Sequence, residues 1–263
     1  MEENKKIFWK KQQTQTAVLI GMVLLFTVAS SLCQFHPAEG VASLPKAVMW
    51  MSGNLIPDAK ALERFPVIAK QLTDTILLSV AVTVSAAVFA FAFSLLGSKT
   101  TRRNPVLGRM VRMIAAFFRN VPDVVWAILF LFSFGQNMVT GFFALFFTTF
   151  GLLTRAFIET IDEVSSDCVE TLEATGATFL QTVFQGILPT SIEGILTWIL
   201  YMIETNIRAS TLIGILTATG IGYQFDLYYK RLEFGSVGLI VILIVLVVVL
   251  IETLSNQIRR VIL

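Results

Sequence analysis

Residues Val237–Ile251 form an unbroken run of fifteen residues without one polar side chain, preceded by Gly235 and Ser236 and followed by Glu252. A buried strand in a soluble protein takes about 4–8 apolar residues, and a helix on a soluble core keeps one polar face. A run apolar all round and close to the roughly 20 residues that cross a bilayer is read as a membrane span. The rest of the chain agrees: it is 55% hydrophobic and 14% charged with a mean hydropathy of +0.75. Soluble domains carry about 45–50% apolar and about 25% charged residues. Phe outnumbers Tyr by 22 to 4, so most aromatic area has no polar atom to offer water. Cys33 and Cys168 are too few for a disulfide framework. The expected fold class is an all-α polytopic membrane protein, a single transmembrane domain over residues 1–263 with about six spans.

Apolar runs put the spans near residues 16–33, 72–96, 114–134, 139–158, 189–204 and 235–254. Lys5, Lys6, Lys10 and Lys11 precede the first, as in a signal peptide, but no small-x-small cleavage site follows, so an uncleaved span is predicted. Residues 34–70 read as a loop punctuated by Pro37, Pro45, Pro57 and Pro66, with Val48-Met49-Trp50-Met51 suited to an interface. The third span is broken by Arg119-Asn120-Val121-Pro122-Asp123, and the fourth is crowded with Phe142, Phe143, Phe146, Phe147 and Phe150. With six spans both termini share a side. Lys5, Lys6, Lys10, Lys11, Lys99, Arg102, Arg103, Arg109, Arg112, Arg155, Arg259 and Arg260 then fall on that side, twelve against six for Lys46, Lys60, Arg64, Lys70, Lys230 and Arg231. The positive-inside rule makes that side the cytosol. Cys33 and Cys168 lie on opposite sides and do not pair.

The segment 159–189 is long for a connection between tight spans. Ser165-Ser166-Asp167 is a helix start, and Glu170 and Glu173 fall in the first turns, where the dipole favours anions. Val169, Leu172, Leu180 and Val183 give a short apolar stripe. Gly176 interrupts the helix at about 1 kcal/mol relative to Ala, which makes sense where another backbone approaches or the chain turns. Leu188-Pro189 closes the segment, with Pro at the first position of the next helix. Six acids (Glu159, Asp162, Glu163, Asp167, Glu170, Glu173) with only Arg155 nearby are poorly suited to rest on an anionic inner leaflet. Docking a cytosolic partner explains them better.

Glu170, Gly176 and Leu188-Pro189 have the spacing of the EAA loop of permease subunits in binding-protein-dependent ABC importers: Glu-Ala-Ala, three residues, Gly, nine residues, Ile, one residue, Leu-Pro. Thr171 and Leu172 stand where that pattern has alanines, and Gly186 where it has Ile. Val169–Ala177 resembles the phosphonate-type version of the loop. Asn206–Gly214 followed by Gly220-Ile221-Gly222 resembles that group's segment between the last two spans, and Arg119–Asp123 its approach to the third. The resemblance covers about residues 110–240.

What it implies is a type I permease fold with a cytosolic coupling helix between spans 4 and 5, in a multi-pass bacterial-type plasma (inner) membrane protein with both termini cytosolic. Its partners would be a cytosolic ATPase dimer, a second permease subunit, identical or a sister, and an extracytoplasmic binding protein. On that reading Glu170, Glu173, Ala174, Thr175, Gly176, Leu188 and Pro189 couple to the ATPase, and the solute is phosphonate or a related phosphorus oxyanion. The chain has no Gly-x4-Gly-Lys-Ser/Thr phosphate loop, so no cofactor is expected in it, and ATP and magnesium belong to the ATPase. No catalytic or metal residues are expected.

Charges at membrane depth are costly, about 2.5–3.5 kcal/mol at the bilayer centre on insertion scales. Glu204 and Arg208 are four residues apart at the end of the fifth span, either a pair closing the helix near the outer interface or, for Arg208 with Asn206, part of an anion path. Arg119, Asn120 and Asp123 admit the same two readings, with Asp123 as a helix cap in the plainer one. Thr217, Gly220 and Gly222 fall in a stretch of small residues, a re-entrant gate or a packed extracellular elbow. His36, the sole histidine, reads as a surface residue, and no basic aromatic stripe suggests nucleic acid. A membrane enzyme acting on lipid phosphates would need clustered acids or a nucleophile beside a base, and the acids are scattered. A methionine-type permease, or a channel or scaffold working without an ATPase, are the alternatives.

Overall fold

Helix is the only regular backbone among the described residues, as lipid demands of a chain that must satisfy its own N–H and C=O groups. The computed structural model describes residues 2–101, 104–164 and 166–262. Arg102 and Arg103 of the basic stretch and Ser165 of the expected helix start lie outside the described residues. The chain divides into two units, one through Asn54 and one from Leu55 onward.

The first unit holds α1 (Glu2–Leu32) and α2 (Pro37–Asn54). The apolar part of α1, Trp9–Leu32, is 24 residues long, enough to span. The loop expected over 34–70 is instead largely helical. Its prolines misled: Pro37 opens α2 and Pro66 stands in the first turn of α4, where a missing N–H costs nothing.

The second unit runs α3 (Ala59–Glu63), α4 (Phe65–Gly97), α5 (Pro105–Asn120), α6 (Asp123–Phe134), α7 (Met138–Val164), α8 (Ser166–Ala174), α9 (Phe179–Gln181), a π turn (Thr182–Ile187), α10 (Leu188–Thr217), α11 (Gly220–Lys230) and α12 (Phe234–Ile262). With α1, five helices among the described residues are long and apolar enough to cross a membrane, or six if the pair α5 and α6, bent by 87°, is one broken span. The bend falls at the expected break, because Pro122 lacks an N–H and takes an extended backbone.

Pro189 stands in the first turn of α10, as expected, but α10 continues the preceding helical turns without a break. The chain is helical from Phe179 to Thr217, and Leu188 N–H donates five residues back to the Val183 carbonyl. That π turn shifts the hydrogen-bond register just where Pro189 has no N–H to give. Nor does the helix end near 204. Polar residues beyond the expected end bond back to their own helix, Ser210 Oγ to the Asn206 carbonyl at 2.5 Å and Thr211 Oγ1 to that of Ile207 at 3.2 Å.

Packing centres on α4, α7 and α10. Ala86 and Ala90 are fully buried and let Phe150, Leu153 and Phe157 of α7 come close. Asn206 then ties the three helices: its Nδ2 donates to Thr83 Oγ1 of α4 at 2.9 Å and to Thr149 Oγ1 of α7 at 3.0 Å. One turn on, Ser210 meets Ser79 of α4 at 2.7 Å. Interhelical hydrogen bonds in membranes average about 0.6 kcal/mol, so Asn206→Leu, which removes two, is expected to destabilise by about 1 kcal/mol. A lowered thermal midpoint in detergent, with insertion unchanged, is the measurement.

At the opposite end of α4, the Arg64 guanidinium makes a two-pronged ion pair with Glu233, donates to Ser236 Oγ at 3.1 Å and covers the Tyr228 ring at 4.8 Å. The hydrogen bonds from Arg64 hold the Glu233 carboxyl below its ordinary range, against a smaller upward push from burial. A lowered carboxylate contributes stability above its unfolded pKa, about 4.3 for Glu, and loses it as pH falls through the folded value. Acidification below about pH 4 is therefore expected to lower the melting temperature more in the wild type than in Arg64→Gln. An equal fall in both would refute this role for the pair.

Candidate coupling helix and translocation face

The helix α8 ends by a hydrogen-bonded turn that only a left-handed residue can make. Gly176 has φ of +84°, its N–H donates to the Glu173 carbonyl at 3.0 Å, and Ala177 N–H reaches back to that of Leu172 at 3.1 Å. This is the Schellman pattern. Of the two reasons that favour a glycine here, the turn is the one present: nothing lies within 4 Å of where a Cβ would stand. Glu170, Glu173, Ala174, Thr175 and Gly176 are all exposed, clustered along the helix and its cap. Leu188 and Pro189 belong instead to the start of α10.

The expected apolar stripe divides between two elements. Val169 is buried with Ile161, Val183 and Ile187, whereas Leu180 is 64% exposed. The chain turns back after Gly176, so a periodicity counted through it fails. Leu172 packs on Gly186, where a Cβ would stand 2.7 Å from Leu172 Cδ1. A glycine at this position lets α8 lie directly on the π turn.

The six acids do not form one docking surface. Glu159 pairs with Arg155 at 2.7 Å. Asp162 accepts from Ser98 Oγ at 2.5 Å, Lys99 N–H at 2.6 Å and Thr100 N–H at 3.2 Å, and faces Arg112 at 3.5 Å. Glu163, Asp167, Glu170 and Glu173 are left exposed. Sequence reasoning missed this role of Asp162, for its partners are more than 45 residues away in the chain.

On α10 the ion pair between Arg208 and Glu204 forms at 3.1 Å, but in mid-helix rather than at a helix end. The Arg208 side chain is 50% exposed and that of Glu204 14%. Glu193, Tyr201 and Leu212 are exposed on the same side of the helix. Asn206 points the other way, 3% exposed and committed to Thr83 and Thr149, so it does not line a path with Arg208.

Arg119 and Asn120 end α5 and Asp123 opens α6, across the 87° bend. Pro122, not Asp123, is the cap residue, and Asp123 Oδ1 is buried without a hydrogen-bond partner. No hydrogen bond or ion pair among the described residues joins these three to Glu204 or Arg208. Thr217, Gly220 and Gly222 form a tight elbow between α10 and α11. Thr217 is buried, Gly220 has φ of +62°, and a Cβ on Gly222 would overlap the Thr211 carbonyl. Ile221 N–H donates to Thr75 Oγ1 of α4 at 2.9 Å, locking the elbow to that helix.

Residues 91–262 match the family described as Binding-protein-dependent transport system inner membrane component. The chain belongs to this family. It is a multi-pass inner-membrane permease of an ABC importer. The permease is 27% identical over 252 residues to the phosphite transport system permease protein PtxC of Stutzerimonas stutzeri, covering 96% of this chain and 90% of that one. It is also 27% identical over 202 residues to the phosphate-import permease protein PhnE of Mycolicibacterium smegmatis, covering 77% of this chain and 37% of that one. A chain from the crystal structure of an amino acid ABC transporter with histidines shares its fold. The TM-score is 0.63 at 17% identity, over 76% of this chain and 95% of the other. Membership implies ATPase and binding-protein partners and a second permease.

Proposed function

We propose that the permease imports a phosphorus oxyanion such as phosphite, phosphonate or phosphate, and that Arg208 receives it. The observation that carries this reading is a half-exposed guanidinium inside a 30-residue apolar helix, two turns short of its end. A charge at that depth faces a wet cavity or a partner, not lipid. Guanidinium gives phosphorus oxyanions paired, charge-assisted hydrogen bonds. Relatives named for phosphite and phosphate transport favour the same solute class.

Glu193, Tyr201 and Arg208 form a polar face that needs a second permease to complete a channel. A homodimer is the simplest arrangement, with Arg208 contributed twice across a twofold axis. Both termini lie in the cytosol, so the exposed tip of α8, Glu170 to Gly176, meets the ATPase there. ATP and magnesium bind that partner, and the permease itself catalyses no reaction. Thr217, Gly220 and Gly222 are a fixed, packed elbow at the outer end of the path.

The test is ATP-dependent uptake of radiolabelled phosphite and inorganic phosphate into proteoliposomes holding the permease, its ATPase and its binding protein. Saturable uptake competed by phosphonate and not by methionine is expected. Methionine uptake, or solute flux without ATP, would replace this reading with one of the alternatives.

A further inference from the structure

Resting on the importer reading above, we propose that Asp162 is a positioning residue that carries the movement of α8 into α4 and α5. It lies on the last turn of α7, directly before α8, and Ile161 beside it is fully buried in the cluster that seats Val169. Movement of α8 therefore displaces this turn. One carboxylate oxygen gathers Ser98 Oγ, Lys99 N–H and Thr100 N–H at 2.5, 2.6 and 3.2 Å. These groups make the turn that ends α4. The other oxygen faces Arg112 of α5 at 3.5 Å, and Arg112 itself donates twice to the Gly97 carbonyl, at 3.0 and 2.9 Å. A Cβ on Gly97 would meet Ile158 Cδ1 of α7 at 2.5 Å, so α4 and α7 are in direct contact at this joint. The far part of α4 carries Ser79 and Thr83, which hold Ser210 and Asn206 of α10. Asp162 thus begins a continuous bonded route from the docking helix to the helix of Arg208.

In proteoliposomes of the full complex with phosphite as solute, Asp162→Ala is expected to keep ATPase co-purification and hydrolysis while solute imported per ATP falls about tenfold, a loss of roughly 1.4 kcal/mol of coupling. Asp162→Asn retains an acceptor oxygen for Ser98, Lys99 and Thr100 and should recover most of that ratio. A proportional fall in transport and hydrolysis, or no change in either, overturns the proposal, because a merely structural role leaves the ratio fixed. A second measurement needs no solute: spin labels at Thr175→Cys and Lys99→Cys, with Cys33 and Cys168 replaced by Ser. Their separation should stay constant between nucleotide-free and ATP-bound complexes of the wild type and change by about 2 Å in Asp162→Ala. Equal behaviour of the two overturns the proposal. Failure of the wild type to import phosphite counts against the solute assignment alone.

Discussion

Arg208→Ala is expected to reduce uptake of phosphite or phosphate by about ten- to a hundredfold while the permease still inserts and holds its ATPase. The magnitude follows from one hydrogen-bonded charge, about 1.5–3 kcal/mol. Because the side chain is half exposed and bonded only to Glu204 on its own helix, its removal opens no cavity in the core. Arg208→Lys keeps the charge but loses the planar fork, and should fall between the two. Glu204→Gln serves as the control. It frees the guanidinium from its intrahelical partner, so uptake should hold or rise at low solute concentration. If Arg208→Ala transports at the wild-type rate, the anion is bound elsewhere.

Gly176→Asp should abolish uptake and ATPase co-purification without affecting membrane insertion. Two effects add. A side chain at positive φ costs roughly 1–2 kcal/mol in the left-handed region, which loosens the cap of a nine-residue helix. The new carboxylate also meets the negative end of the helix dipole and projects into space that is empty in this chain. Gly176→Ala introduces the backbone strain with a single methyl and no charge. A mild defect in Ala and a complete one in Asp locates the ATPase over this cap. Equal, mild defects in both would mean that the cap acts through its backbone alone.

Much of the fold was legible because lipid leaves few choices. A run such as Val237–Ile251 has one way to satisfy its backbone, and the bend at Pro122 follows from one missing N–H. The reading failed where a local signal had two meanings. Pro37 and Pro66 suggested a loop and instead begin helices. Asn206 and Arg208 read as one polar stretch, yet face opposite ways. Two residues rotate a helix by ~200°, and that alone separates a buried tie from an exposed charge. The spacing of Thr75, Ser79 and Thr83, all buried on α4, was a detectable sign of the tie. Asp162 offered no such sign, since its role depends on a turn brought near only by folding. At Gly186 the departure from the EAA pattern made sense once Leu172 was seen lying on it.

The two-sidedness of α10 bears on how such permeases change their cargo. Residues that hold the protein together, Met202, Asn206, Ser210 and Ile213, are buried on one side, and Glu193, Tyr201, Arg208 and Leu212 are exposed on the other. Substitutions on the exposed side leave the bonded side intact. On the proposed reading of Arg208, a lineage retools its solute by rewriting one edge of one helix while the packing of α4, α7 and α10 is inherited unchanged.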